Sequence, residues 1–215
     1  MRLVIFDCDG VLVDSEPITN RLMAEELTRH GLPTTQEESI ERFVGGTIQS
    51  VYERACEMGA TLPDDWVSSF YSKMIDVLRA EVTIIPGIGD VLDALDQAAV
   101  QYCVASNGPI AKMDATLKVT GLWDRVEGRI YSAHDVGIAK PDPGLFLHAA
   151  RDMGWPPEQC VVIEDSASGV RAAQAAKMRC FGFTADTPEH KLIAHDALPF
   201  RDMAALPGLL GVTSQ

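Results

Sequence analysis

Short, continuous apolar runs recur along the chain, separated by stretches with helical periodicity. The runs lie at residues 3–6, 102–105, 160–163 and 180–183. An apolar run of this length predicts a strand buried on both faces, which is typical of a parallel sheet. Residues 88–99 instead carry apolar side chains at helical spacing. This alternation predicts an α/β fold with a doubly wound, Rossmann-like parallel sheet, in which functional residues gather at the carboxyl ends of the strands.

Residues 15–81 follow a different pattern, with no apolar run that indicates a strand. Apolar side chains recur there at helical spacing, and we expect the aromatic stripe of Trp66, Phe70 and Tyr71 to be packed in a core. Thr34 and Glu37 have the spacing of a capping box at a helix start. We therefore predict an α/β catalytic core formed by residues 1–14 and 82–215, and a helical cap domain formed by residues 15–81.

Composition and charge exclude several classes of protein. The chain has 215 residues, of which 47% are hydrophobic, and a formal net charge of −13. So acidic a chain is a poor candidate for binding nucleic acid or an anionic membrane. The five cysteines include no pair with the spacing of a zinc site, so we expect free thiols. Because we find no signal-peptide pattern and no apolar run of membrane-spanning length, we expect a cytoplasmic protein.

Four polar stretches each follow a predicted strand. Asp7 and Asp9 come first, and Gly10 permits a sharp turn there. Buried carboxylates at close quarters need a cation or a proton, and magnesium, which prefers oxygen ligands, can supply the cation. Ser106 and Asn107 precede a helix start, which makes an anion cradle.

The other two stretches add charge. Lys140 lies in a proline-stiffened loop and can neutralise a phosphate, while Glu164 and Asp165 add two acids before a further helix. A carboxylate nucleophile, an acid/base, an anion cradle, a lysine and metal ligands together suit phosphoryl transfer through an aspartyl-phosphate intermediate. Ser166 is expected to cap the following helix, and the Cys8 side chain to point into the core.

The ordered set of Asp-x-Asp-Gly, Ser-Asn, Lys-Pro and Glu-Asp resembles the haloacid dehalogenase superfamily, and within it the β-phosphoglucomutase-like group with a small helical cap. The resemblance implies that Asp7 attacks phosphorus and that Asp9 acts as acid and base. It implies that Ser106, Asn107 and Lys140 bind the phosphate. The implied ligands of Mg²⁺, the expected cofactor, are Asp7, Asp9 through its backbone carbonyl, Glu164 directly or through water, and Asp165.

The same resemblance implies a small phosphorylated metabolite as substrate, either a sugar phosphate or a sugar-acid phosphate such as 6-phosphogluconate, and a monomeric enzyme. Gly45, Gly46 and Thr47 fall where the group places its substrate-facing cap loop. Lys112, expected to be exposed on a first helical turn, and Arg42 are further candidates for substrate specificity.

Two alternatives to a phosphatase remain. One is a β-phosphoglucomutase-type isomerase, which the absence of an arginine shortly after the Gly45–Gly46 loop disfavours, although Arg42 or Arg54 could replace it. The other is a noncatalytic small-molecule binding protein. The presence of Asp7 together with Asp9 argues against this second alternative, since a binding protein needs no nucleophile.

Overall fold

The computed structural model describes residues 1–43, 47–185 and 187–212. Its strands are β1 Leu3–Phe6, β2 Val13–Asp14, β3 Thr83–Ile84, β4 Gln101–Ser106, β5 Ile130–Ser132, β6 Cys160–Glu164, β7 Arg179–Phe183 and β8 Leu198–Phe200. Its α-helices are α1 Glu16–Arg29, α2 Gln36–Phe43, α3 Ile48–Glu57, α4 Trp66–Glu81, α5 Ile88–Gln97, α6 Ile110–Val119, α7 Trp123–Val126, α8 Ala133–Val136, α9 Gly144–Asp152, α10 Ala167–Ala175, α11 Glu189–Ile193 and α12 Leu206–Leu210.

Six strands form a parallel sheet in the order β5-β4-β1-β6-β7-β8. All four predicted apolar runs are strands of this sheet. Strands β4 and β5 lie on one side of β1, and β6, β7 and β8 lie on the other, so the direction of the strand order reverses beside β1. In open α/β sheets, the carboxyl ends of strands at such a reversal form a crevice where ligands bind. The predicted doubly wound α/β fold is confirmed.

Successive residues of β1 point to opposite faces of the sheet, as a period of two requires. Val4 and Phe6 belong to a buried cluster with residues of α5 and α6. Leu3 and Ile5 belong to a second cluster with residues of α9 and α10. Because helices cover both faces, the central strand is fully buried.

Helices α1–α4 lie between β2 and β3 in the chain and pack around a third buried cluster of their own. Trp66 and Phe70 stack in this cluster with ring centroids 5.0 Å apart. Strands β2 and β3 pair antiparallel, with Asp14 opposite Thr83, so the chain enters and leaves the helical segment through one short ribbon. The division into core and cap domains at residues 14 and 81 stays a prediction.

The predicted capping box at Thr34 and Glu37 is wrong by one residue. The Thr35 N–H donates to Glu38 Oε2 over 2.9 Å, and the Glu38 N–H donates to Thr35 Oγ1 over 3.2 Å. Thr34 instead bonds with Thr28 and Leu32, so it closes the preceding turn. Among the described residues, we find no helix with the length and apolar character that crossing a membrane requires.

Candidate active site

The carboxyl ends of three adjacent strands bring the predicted site residues together. Asp7 directly follows β1, while Ser106 is the last residue of β4 and Glu164 the last residue of β6. Since β4 and β6 are the two neighbours of β1, these side chains meet at one edge of the sheet. They surround a cavity of about 130 Å³ that helices α1–α4 close from the other side.

Most of the residues singled out in the sequence line this cavity. They are Asp7, Asp9, Thr47, Ser106, Asn107, Lys112, Lys140, Glu164 and Asp165. Arg42 is not among them and lies in an adjoining groove. Gly45 and Gly46 fall outside the described residues. The roles assigned to these residues stay predictions, but the expected convergence on one cavity is observed for those that line it.

Lys140 joins two carboxylates at the floor of the cavity. Its Nζ lies 2.5 Å from Asp7 Oδ1 and 2.6 Å from Glu164 Oε1. The lysine side chain is only 3% exposed and Glu164 is fully buried. Burial alone would lower the pKa of Lys140, but the charges of Asp7 and Glu164 outweigh it and raise that pKa above its usual value. Lys140 is therefore a fixed cation against the Asp7 carboxylate.

Glu164 accepts hydrogen bonds on both carboxylate oxygens. Oε1 accepts from Lys140, and Oε2 accepts from the backbone N–H of Asp165 at 3.1 Å and from the backbone N–H and hydroxyl of Ser166, each at 2.9 Å. Ser166 is also the N-cap of α10, as predicted, and accepts from the Gly169 N–H. Glu164 thus fixes the position of the Lys140 side chain and connects it, through Ser166, to the start of α10.

Asp7, Glu164 and Asp165 form a cluster whose ligand oxygens lie within 4.8 Å of one another. The Asp165 carboxylate packs against the backbone of Gly10, where an added Cβ would lie only 2.1 Å from Asp165 Oδ2. Burial raises the pKa of Asp7 to about 7. Burial, and to a smaller extent the negative charge of Glu164, raises the pKa of Asp165 well above its usual value. Lys140 therefore does not balance the negative charge of the cluster, and a hard cation with oxygen ligands fits the residues present.

Asp9 belongs to a separate polar group with Lys112 and Ser15. Lys112 Nζ lies 2.7 Å from Asp9 Oδ1, and the Ser15 hydroxyl donates to the same oxygen. Burial would raise the pKa of Asp9, but the charge and hydrogen bond of Lys112 outweigh it and hold that pKa below its usual value. The expectation that Lys112 is exposed is wrong: it is 8% exposed because the first turn of α6 faces the cavity.

The two residues of the expected anion cradle differ in what their side chains do. Ser106 Oγ accepts from the Gly108 N–H at 3.0 Å on the cavity wall. The Asn107 amide is turned to the backbone of Lys140, accepting from its N–H at 2.9 Å and donating to its carbonyl at 3.2 Å. The Asn107 side chain thus positions the lysine loop, a contact that the sequence did not indicate.

Several lining residues were not identified in the sequence. Glu16, Thr19 and Asn20 present one face of α1 to the cavity, and Tyr71 of α4 lines it from the cap side. The spacing of the first three was readable as a polar helical face beside Asp14. Thr19 Oγ1 is buried and has no hydrogen-bond partner within the described residues. Tyr71 was expected to be core, but it also meets His134 edge to face, with centroids 6.1 Å apart.

Comparisons with known proteins agree with this geometry. Residues 1–177 match the family of haloacid dehalogenase-like hydrolases. The chain is 32% identical over 212 residues to the 6-phosphogluconate phosphatase of Escherichia coli, covering 97% of this chain and 94% of that protein.

Solved structures show the same relationship. A haloacid dehalogenase-like protein of Agrobacterium tumefaciens superposes with a TM-score of 0.84 at 35% identity, over 98% of both chains. A family hydrolase of Deinococcus radiodurans with bound phosphate and sodium superposes with a TM-score of 0.82 at 29% identity, over 100% of this chain and 98% of that one. The chain therefore belongs to the haloacid dehalogenase-like hydrolases and is a phosphoric monoester hydrolase of that family.

Proposed function

We propose that the chain is a magnesium-dependent phosphatase that hydrolyses a sugar phosphate or sugar-acid phosphate through an aspartyl-phosphate intermediate on Asp7. One observation carries the proposal. The Asp7 carboxylate, paired with a buried lysine and flanked by two further acids, faces a cavity that also contains Asp9. A binding protein would gain nothing from a buried carboxylate with an acid/base on the same wall.

In the proposed first step, an Asp7 oxygen attacks phosphorus, the P–O bond to the leaving group breaks, and Asp9 gives that group a proton. Lys140 neutralises charge on Asp7 and on the phosphoryl oxygens, while Ser106 donates its hydroxyl to one of them. Fixed donors of this kind stabilise the charge that develops in the transition state.

In the second step, Asp9 takes a proton from water, whose oxygen attacks phosphorus and releases Asp7. Lys112 and Ser15 favour the ionised Asp9 that this step requires. The first step requires the protonated form, and an arriving phosphate dianion favours proton uptake because it repels the carboxylate charge.

We propose that Asp7, Asp165 and the Asp9 backbone carbonyl hold the magnesium ion, with Glu164 acting through a water. Glu164 is assigned this indirect position because both of its oxygens already accept hydrogen bonds. When bound, the ion neutralises charge on the phosphate and on the carboxylates. The negative charge that Lys140 leaves unbalanced supports this assignment.

The substrate proposal rests on the relative. The E. coli protein is a 6-phosphogluconate phosphatase, and it aligns with nearly the whole of this chain. We therefore propose 6-phosphogluconate as the first compound to test, with hexose phosphates, phosphoglycolate and β-glucose 1-phosphate as its comparison set.

Phosphate release with Mg²⁺ from this panel, comparing the wild type with Asp7→Asn, tests the proposal. We expect release from at least one compound and a loss of at least about 1,000-fold in kcat for Asp7→Asn, because the amide is no nucleophile. Asp124→Asn, an equal change of charge at an exposed position, should retain wild-type rates. Isomerisation of β-glucose 1-phosphate without phosphate release would replace the phosphatase by a mutase.

A further inference from the structure

A second cavity, of about 340 Å³, lies in a groove between α2 and α3 of the cap side and the starts of α10 and α11 of the core side. It adjoins the catalytic cavity, since Phe43, Val51, Ser166 and Ser168 line both. The two cavities are therefore neighbours, and these four residues lie at the boundary between them.

The groove is basic in a chain with a net charge of −13. Its lining includes Arg42, Arg54, Arg171 and Lys191. Glu41 is the one acid that lines it among the residues described by the structure. Two helices of the cap side and two of the core side contribute these cations, so the positive charge does not belong to a single solvated helix face.

The four cations differ in whether a carboxylate of the protein already pairs with them. Arg42 pairs with Glu38 at 2.8 Å. Arg54 donates to the Arg42 carbonyl at 2.8 Å, so its guanidinium meets no carboxylate there. Within the described ranges, Arg171 and Lys191 form no ion pair. The core side of the groove therefore offers two charges that a bound anion could neutralise.

The size of the catalytic cavity favours a ligand that extends into the neighbouring groove. Sites for small molecules usually measure about 300–1,000 Å³, whereas the cavity at Asp7 measures about 130 Å³. It is therefore smaller than a site that encloses a whole small molecule usually is. Any part of a ligand outside it needs neighbouring space, and the space that shares four wall residues with the cavity is the basic groove.

We propose that this groove is the subsite for a second anionic group, a carboxylate or phosphate, at the far end of the substrate. The inference rests on the proposed phosphatase function and narrows its substrate class to compounds with an anion at each end. Arg171 and Lys191 provide most of the recognition on the core side. Lys112 is left out of this role because its ammonium group already pairs with Asp9.

The test compares two six-carbon probes of equal length, 6-phosphogluconate and glucitol 6-phosphate, which differ in having a carboxylate or a neutral alcohol at the far end. kcat/KM for both is measured with the wild-type chain and with Arg171→Gln/Lys191→Gln. We expect the ratio of kcat/KM for 6-phosphogluconate to kcat/KM for glucitol 6-phosphate to fall about tenfold in the double variant. The reason is that the carboxylate of 6-phosphogluconate loses two cationic partners, while the alcohol of the other probe loses none. An unchanged ratio overturns the subsite.

The matched control is Arg151→Gln/Lys177→Gln, which removes the same charge from exposed residues that line neither cavity. It should keep the wild-type ratio. An equal fall in this control would mean that the overall field of the molecule, not the groove, discriminates between the probes, and would overturn the proposal.

Binding to Asp7→Asn separates the subsite from the catalytic proposal. Calorimetric titration of both probes into Asp7→Asn, with and without Arg171→Gln/Lys191→Gln, needs no turnover. A selective, about tenfold loss of 6-phosphogluconate affinity supports the subsite even if no phosphate is released by the wild type. Equal affinity for the two probes, or no binding of 6-phosphogluconate, overturns it.

Discussion

Gly169 lies in the first turn of α10, directly above the carboxylate of Glu164. A Cβ at this position would lie 1.8 Å from Glu164 Oε1, the oxygen that accepts from Lys140. The position of a Cβ is fixed by the backbone, so the Glu164 carboxylate or the start of α10 would have to move to relieve such a clash. The absence of one side chain thus permits the buried contact that holds the lysine.

Gly169→Ala should therefore lower both stability and activity, although alanine is the better helix former. We expect a loss of about 2–4 kcal/mol in the free energy of unfolding by urea, the range for overpacking and breaking a buried network, together with a clear fall in kcat. Gly89→Ala is the control, because Gly89 is helical and a Cβ there meets nothing within 4 Å. A stable, fully active Gly169→Ala would show that Glu164 does not need this position.

Polar contacts between distant residues were the least predictable part of the site. The strand-end positions of Asp7, Ser106 and Glu164 followed from apolar runs that are visible in the sequence. The pairing of Lys112 with Asp9 joins residues far apart in the chain, and no local pattern indicates it. The Asn107 contact to Lys140 spans 33 residues and has the same cause.

At the scale of elements, α6 presents two lysines to different surroundings. Lys112, in its first turn, is in contact with Asp9 and is 10% exposed at the side chain. Lys118, in its last turn, pairs with Asp114 of the same helix and is 54% exposed. Since a buried charge left without its partner costs far more than a solvated one, the two ion pairs should differ in their effect on stability.

Lys112→Met should lower the free energy of unfolding by about 3 kcal/mol because it leaves the Asp9 carboxylate, which is only 14% exposed, without its cation. Lys118→Met should change it by less than about 1 kcal/mol. Urea unfolding of the two variants measures the difference within one helix. Equal and small effects would contradict the burial of the Lys112 pair.

Element prediction succeeded where burial was complete and failed where it was partial. The four predicted strands are nearly all buried residues, which gives an unbroken apolar run. Strands β5 and β8 have three residues each, and in β8 only Phe200 is buried. Edge strands this short carry no sequence period, so they were not predicted. The helix start at Gln36 was displaced by one residue because adjacent threonines offer two equivalent caps.

At the scale of the whole molecule, repulsion within the acidic cluster lowers the stability of the folded chain. Asp7, Glu164 and Asp165 are brought together by strand ends and a helix start, and Lys140 supplies one positive charge against them. A cation that binds the folded chain and not the unfolded one stabilises the fold by mass action. Metal binding should therefore be measurable without any substrate.

Mg²⁺ at about 100 times its Kd should raise the free energy of unfolding by about 2.7 kcal/mol, and chelation should reverse the change. Thermal unfolding with and without Mg²⁺ measures the shift in Tm. Asp165→Asn should lose the shift, while Asp124→Asn, with the same change of charge at an exposed position, should keep it. A shift of equal size in Asp165→Asn would place the metal elsewhere.

The antiparallel ribbon of β2 and β3 connects the segment of four helices to the sheet-forming part of the chain. Asp14 and Thr83 lie directly opposite each other, so the segment between them starts and finishes at nearly the same point. A two-residue turn could rejoin these strands without moving β1 or the cavity floor. Segments of very different size can therefore be exchanged at this position, because the length of a loop has little effect on the cost of closing it. The ribbon would therefore let the helical wall of the cavity change while the polar residues at the strand ends keep their places.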